Sequence, residues 1–181
     1  MRCIDLEKDL DQVIVYLVEA ASELDEVPAA FLLHSIRVGL SLQQEGYSRE
    51  IVLAGLLHDV VEDTRRTVDD VRSRFGSEVA RLVEANTVNK VMDRLERSRE
   101  VMYRAKRVGR DALVVKAADL EDNLRFYLAD ANRSMLGWLE GLLPLFLDLS
   151  SEDIGSERVW AELQEQRRKI SVHLHGEEAA S

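Results

Sequence analysis

The stretch at positions 52–63 reads Val52-Leu53-Ala54-Gly55-Leu56-Leu57-His58-Asp59-Val60-Val61-Glu62-Asp63. An apolar segment therefore passes directly into one histidine and three carboxylates. Charge beside a hydrophobic core persists only where it is paired or bound to a metal. On a helix, Glu62 would lie one turn after His58, and Asp63 one turn after Asp59. The four polar groups would then share one helix end, a pattern typical of an active site.

The rest of the chain also follows helical periodicity, with no sustained alternation of apolar and polar residues. Proline (2) and glycine (9) are few among the 181 residues, which favours helix. The predicted helices cover 5–24, 28–45, 49–63, 67–76, 77–87, 93–107, 111–128, 132–149 and 156–174. We expect Pro144 to kink the helix over 132–149, and residues 176–181 to form a flexible tail. The prediction is an all-α fold with a single compact domain over residues 1–175.

The composition argues against several classes of protein. A net charge of −10 does not suit general binding to nucleic acid, because phosphate contacts need clustered Lys and Arg. No apolar run approaches the roughly 20 residues that span a bilayer, and the N-terminus carries acids where a secretory signal would be apolar. The single cysteine, Cys3, fits a reducing compartment. We therefore expect a cytoplasmic protein that binds neither nucleic acid nor membrane.

One segment departs from this acidic average. Residues 90–110 contain eight basic residues against three acidic ones. Most such runs are solvated helix faces, but this one could also attract a small anionic substrate.

Two further residues stand where an apolar helix carries a polar group. His34 lies within Phe31-Leu32-Leu33-His34-Ser35, and Asp119 ends Val114-Val115-Lys116-Ala117-Ala118-Asp119. With His58 and Asp59 they would form a mixed imidazole and carboxylate site. Such a site suits manganese, iron, cobalt or zinc better than calcium or magnesium. The alternatives are a core histidine at position 34 and an ion-pair partner or helix cap at position 119.

These residues, in this order and spacing, resemble the HD phosphohydrolase superfamily. Within it, residues 54–64 are similar to the hydrolase domain of RelA/SpoT proteins and to small stand-alone alarmone hydrolases. The likeness continues through 67–71, 75–79 and 82–83, and it reaches Lys116-Ala117-Ala118-Asp119 and Asn123-Leu124-Arg125. It covers roughly residues 28–128. The resemblance implies an HD-domain helical bundle.

The resemblance also implies an enzyme, one that removes pyrophosphate from the 3′ position of guanosine tetra- or pentaphosphate. It implies one metal ion, manganese in most members and another divalent transition metal as the alternative. The implied metal ligands are His34, His58, Asp59 and Asp119. The implied catalytic pair is Glu62 and Asp63. The residues implied to bind the phosphorylated nucleotide are Asn123, Lys90 and Arg125.

The sequence departs from the family pattern on either side of these motifs. Acids precede His34 where the family has a basic stretch with a guanine-contacting arginine, and Ser35 replaces a proline. After Asp119, Leu120-Glu121-Asp122 replaces a more basic or aromatic stretch. Two alternatives follow: an HD phosphohydrolase for another nucleotide or phosphate ester, and a catalytically silent nucleotide-binding regulatory domain. Leu and Trp side chains exposed on the last two helices could support a homo-oligomer.

Overall fold

The computed structural model describes residues 3–24, 29–88 and 90–176, and this part of the chain forms ten α-helices and no strand. In chain order the helices are α1 (Cys3–Ser22), α2 (Ala29–Gln44), α3 (Arg49–Leu57), α4 (Val60–Asp63), α5 (Val68–Phe75), α6 (Ser77–Asn86), α7 (Arg94–Val108), α8 (Arg110–Ala129), α9 (Arg133–Ile154) and α10 (Arg158–His175). The predicted all-α fold is confirmed. The expected flexibility of residues 177–181 and the predicted helix start at Pro28 lie outside the described residues.

Most helix ends fall within one or two residues of the predicted positions. A capping box begins α5, with the Asp70 side chain accepting from the backbone N–H of Thr67 and the Thr67 side chain accepting from the backbone N–H of Asp70. The exceptions are α9, which continues to Ile154 with Pro144 inside it, and the helix predicted over 49–63.

The helix predicted over 49–63 is two helices, α3 and α4, with His58 and Asp59 between them. Ser48 caps α3 by accepting from the backbone N–H of Ile51. Neighbouring side chains on a continuous α-helix point about 100° apart. His58 and Asp59 keep backbone angles of the α region (φ −57°, ψ −34° and φ −94°, ψ −7°), so the turn between the two helices stays close to helical geometry. The two side chains meet at their ends, where Nε2 of His58 lies 3.2 Å from Oδ2 of Asp59.

Helices α2 and α3 pack closely because glycines stand at their contact. A Cβ atom on Gly39 would lie 2.3 Å from Cγ of Leu56, and one on Gly55 would lie 2.5 Å from Cδ1 of Leu42. Packed interiors do not accommodate such overlap without a shift. This close approach sets the spacing between the helix that carries His34 and the helix that ends at His58.

Helix α8 is the centre of the fold. Its residues from Ala112 to Asp122 are buried, and it packs against α2, α3, α6, α7, α9 and α10. Four of these buried positions are charged, namely Lys116, Asp119, Glu121 and Asp122. Charges at such depth require partners.

The expected basis for a homo-oligomer is wrong for the residues described. Trp138 and Trp160 are half-buried and pack against the core. The exposed large apolar side chains among the described residues lie outside α9 and α10, with Ile14, Val15 and Val18 on α1. Among the described helices, none has the length and apolar character that crossing a bilayer requires.

Candidate metal centre and catalytic site

The four predicted metal ligands come from three parts of the fold, namely α2, the turn between α3 and α4, and α8, and they meet at one point. Nε2 of His34 lies 3.1 Å from Nε2 of His58, 3.6 Å from Oδ2 of Asp59 and 3.2 Å from Oδ1 of Asp119. Nε2 of His58 lies 3.2 Å from the same Asp59 oxygen and 3.6 Å from the same Asp119 oxygen. Ligand atoms of His34, His58 and Asp59 all lie within 4.8 Å of one another. Asp119 joins this group through its contacts with both histidines.

The hydrogen bonds of the two imidazoles determine which nitrogens face this point. Nδ1 of His58 donates to the backbone carbonyl of Gly55 at 2.8 Å, and Nδ1 of His34 donates to Oδ2 of Asp122 at 2.7 Å. A carbonyl and a carboxylate only accept, so the proton of each neutral ring is on Nδ1. Each Nε2 then directs a lone pair towards the other. Two imidazole lone pairs beside two carboxylate oxygens are a donor set that fits a divalent transition metal.

The electrostatic surroundings favour positive charge at the same point. Burial lowers the pKa of His34, but its hydrogen bonds with Asp119 and Asp122 outweigh burial and raise the pKa to about 9. Burial likewise lowers the pKa of His58, and the neighbouring Asp59 and Asp119 raise it well above its usual value. Burial raises the pKa of Asp119, but Lys116 and then the two histidines hold it well below the usual range.

Helix α8 supports Asp119 from both sides. Nζ of Lys116, one turn earlier, donates to Oδ2 of Asp119 at 2.7 Å. Nδ2 of Asn123, one turn later, donates to Oδ1 at 2.6 Å. Lys116 is buried, so it is not a solvated surface residue. Asn123, predicted to bind substrate, holds the oxygen that faces the histidines.

A cavity of about 280 Å³ opens beside the four ligand residues. Its lining residues are His34, Asp59, Glu62, Asn86, Val88, Arg94, Arg97, Ser98, Lys116, Asp119, Asn123 and Trp138. Oε2 of Glu62 accepts from the backbone N–H of Val88 at 3.1 Å. Burial, with the charge of Asp59 next, raises the pKa of Glu62. A carboxylate with a raised pKa, positioned this way, can accept a proton from water.

Asp63, the other residue of the predicted catalytic pair, faces a different cavity. Its Oδ1 accepts from Nζ of Lys90 at 2.7 Å, and both side chains are more than a third exposed. Asp63 lines a second cavity of about 450 Å³, together with Phe31, Leu33, His34, Arg37, Asn123, Phe126 and Tyr127. The two cavities share His34 and Asn123. Lys90 is not among the residues that line either of them.

The basic segment over residues 90–110 divides into two parts. Arg94 and Arg97 line the cavity beside the ligands. The Arg94 guanidinium lies 4.4 Å over the Trp138 ring, and within the described residues Arg97 forms no salt bridge. Of the other six cations of the segment, all but Arg99 form salt bridges with described residues away from this cavity, for example Lys106 with Asp153 at 2.6 Å. Two of the eight basic residues are therefore placed to meet an anion in the site.

Arg125, also predicted to bind substrate, does not line this cavity. It pairs with Glu121 and Glu162 and lines a third cavity of about 610 Å³. Arg125 follows Asn123 by two residues, which places it about 200° around the helix. We therefore leave Arg125 out of the proposed binding set.

The partner of His34 could not be predicted from the sequence. Oδ2 of Asp122 accepts from His34 and from Nη2 of Arg37, each at 2.7 Å, and Oδ1 accepts from Nε of Arg37, also at 2.7 Å. The spacing of one helical turn between Asp119 and Asp122 can be read from the sequence. Their shared contact with a ring 88 residues away from Asp122 required the folded structure.

Comparison with known proteins agrees with this geometry. A model of the HD domain family matches residues 29–133. The guanosine-3′,5′-bis(diphosphate) 3′-pyrophosphohydrolase MESH1 of Mus musculus is 35% identical over 144 residues, covering 77% of this chain and 78% of the relative. The human protein of the same name is 42% identical over 125 residues, covering 67% of this chain and 68% of the relative. The solved structure of a metazoan orthologue of SpoT, described as hydrolysing ppGpp, superposes with a TM-score of 0.70 at 26% identity, covering 87% of this chain and 93% of the other.

Proposed function

Because this chain belongs to the HD domain family, we propose that it is a metal-dependent phosphohydrolase that removes pyrophosphate from the 3′ position of guanosine-3′,5′-bis(diphosphate). The observation that carries the proposal is the meeting of two imidazole Nε2 atoms, 3.1 Å apart, with oxygens of Asp59 and Asp119. The proposed substrate is the one in the names of the mouse and human relatives, of which this chain covers 78% and 68% of the length.

The proposed metal ligands are His34, His58, Asp59 and Asp119. A divalent ion bound there would polarise a phosphoryl oxygen and lower the pKa of water. We propose manganese, which the equal numbers of imidazole and carboxylate groups support, since carboxylates suit manganese better than the softer metals.

Glu62 is the proposed general base. Its raised pKa and its position in the cavity beside Asp59 support this role. A water oxygen would form a bond to the phosphorus on the 3′ oxygen, while Glu62 takes a proton from that water. The bond between this phosphorus and the 3′ oxygen breaks, and the 3′ oxygen is protonated as it leaves. The products are pyrophosphate and guanosine diphosphate.

Arg97 and Arg94 are proposed to neutralise the phosphate groups. Phosphoryl transfer depends chiefly on positioning and charge neutralisation, and both residues line the cavity that contains Glu62. The adjoining cavity supplies Phe31, Phe126 and Tyr127, whose rings suit the flat face of a nucleobase.

The roles of Asn123, Lys90 and Asp63 in substrate binding or catalysis are secondary proposals. We also propose a cytoplasmic location, supported by the single cysteine.

The decisive experiment measures pyrophosphate and phosphate release in the presence of manganese, from guanosine tetraphosphate and from a panel of nucleoside mono-, tri- and 3′-phosphates. We expect pyrophosphate from the tetraphosphate, abolished by EDTA and restored by added manganese. Release from other phosphates alone would support the phosphate-ester alternative. No product from any compound, with the nucleotide still bound, would support a regulatory domain.

A further inference from the structure

The two imidazoles of the site are supported at Nδ1 by partners of different charge. His58 donates to a backbone carbonyl, that of Gly55. His34 donates to the carboxylate of Asp122, which in turn accepts two hydrogen bonds from the Arg37 guanidinium. The same ring of His34 therefore has a carboxylate at each nitrogen: Asp122 at Nδ1 and Asp119 at Nε2.

We propose that Asp122, held by Arg37, is a positioning residue that orients the ring of His34 and strengthens it as a metal ligand. The inference rests on the proposed metal centre. A ligand histidine whose second nitrogen donates to a carboxylate is fixed in one tautomer and becomes more basic, and partners of this kind contribute measurably to metal affinity.

Asp122 and Arg37 are placed in a fixed relation to two of the proposed metal ligands, which a general buried ion pair would not require. Asp122 lies one turn after Asp119 on α8, and Arg37 lies one turn after His34 on α2. Each helix thus contributes one proposed metal ligand, His34 or Asp119, and one member of the ion pair between Arg37 and Asp122. The Asp122 side chain is 11% exposed whereas that of Arg37 is 44% exposed, so the arginine reaches inward from the surface to the carboxylate.

The charges explain why the pair is needed. Asp59 and Asp119 already place two carboxylates beside His34. A third carboxylate this close, largely removed from water, would be costly without a cation of its own. The bidentate contact with Arg37 supplies that cation and fixes the orientation of the carboxylate plane.

The test compares Asp122→Asn with Glu121→Gln, a change of a buried acid at the neighbouring position of α8 that faces Arg125 instead of His34. Manganese affinity is measured by the electron paramagnetic resonance signal of free Mn²⁺, without substrate. We expect the dissociation constant to rise about 10- to 100-fold in Asp122→Asn and to change less than about twofold in Glu121→Gln. Turnover of Asp122→Asn should recover as manganese is raised to saturation, with KM for the nucleotide unchanged.

Equal manganese affinity in Asp122→Asn and the unaltered protein would overturn the inference and leave the metal centre intact. Failure of the unaltered protein to bind manganese would overturn the proposed function and this inference together. If circular dichroism shows that Asp122→Asn does not fold, Arg37→Gln replaces it, because the exposed arginine can change without leaving a buried cavity. Arg37→Gln should weaken manganese binding several-fold, and an unchanged dissociation constant would overturn the inference.

Discussion

Nε2 of His34 and Nε2 of His58 lie 3.1 Å apart, although each neutral ring already donates its only proton through Nδ1. Two lone pairs at this distance repel each other unless positive charge lies between or beside them. In the metal-free protein a proton can supply that charge, as the pKa of about 9 for His34 indicates. A divalent cation would replace the proton and satisfy the two carboxylates as well.

The first prediction concerns the metal itself. Asp59→Ala removes one of the two carboxylates beside the histidines, so we expect metal content and turnover to be lost together. The measurement is manganese per chain after dialysis, by elemental analysis, beside the rate of pyrophosphate release. Asp69→Ala is the matched control, since Asp69 has a side chain that is 86% exposed. Full metal content in Asp59→Ala would contradict the assignment of this ligand.

The second prediction separates the two adjacent acids of α4. Glu62 lines the cavity beside the ligands, whereas Asp63 lines the neighbouring one and pairs with Lys90. We therefore expect Glu62→Gln to lower kcat by about 10²- to 10⁴-fold with metal content unchanged. Asp63→Asn should have the smaller effect on kcat. Steady-state kinetics at saturating manganese provide the comparison, and a larger loss in Asp63→Asn would reverse the assignment.

The third prediction concerns Arg97 of α7, which forms no salt bridge with the described residues. Arg97 lines the ligand cavity, while Arg99, two residues later, is exposed and does not line it. Removing a charged hydrogen-bond partner of a phosphate should raise KM by about 10- to 100-fold. We expect this in Arg97→Ala and not in Arg99→Ala, with metal affinity unchanged in both. Equal KM values for the two variants would remove Arg97 from the binding set.

The helices and the four converging ligands could be predicted from the sequence because their signals are local. Apolar periodicity and caps such as Thr67 place the helices, and the likeness to a known family connects His34, His58 and Asp119 across the chain. The break between α3 and α4 could not be predicted, because it is slight: His58 and Asp59 keep backbone angles of the α region. The same holds for the Arg37–Asp122 pair, whose residues are 85 positions apart and have no local signature.

The fourth prediction follows from the close packing of α2 and α3. A methyl group at Gly39 would overlap Cγ of Leu56, an atom that cannot move without displacing the whole side chain. We expect Gly39→Ala to lower the free energy of unfolding by about 1–3 kcal/mol. The shift between the helices should also weaken manganese binding, because it separates His34 from His58. Urea denaturation and metal titration check this, with Gly137→Ala as control, since a Cβ there meets no atom within 4 Å.

The last prediction concerns pH and the buried carboxyl of Glu121. Burial raises its pKa to about 7, although Arg125 beside it acts in the opposite direction. The folded protein therefore holds this proton more tightly than the unfolded chain, in which the pKa is 4.5. As the pH rises from about 5 to 7, the folded state must release a proton that the unfolded state has already lost, so the free energy of unfolding falls. The glutamine of Glu121→Gln carries no such proton, and we expect this variant to lose less stability over the same range, by up to about 3 kcal/mol.

Urea denaturation of both metal-free proteins at pH 5 and pH 8 measures the difference. Glu96→Gln, an exposed acid on α7, is the control. Parallel changes in the stability of Glu121→Gln and the unaltered protein would show that Glu121 ionises at its ordinary pKa and that Arg125 compensates fully for its burial.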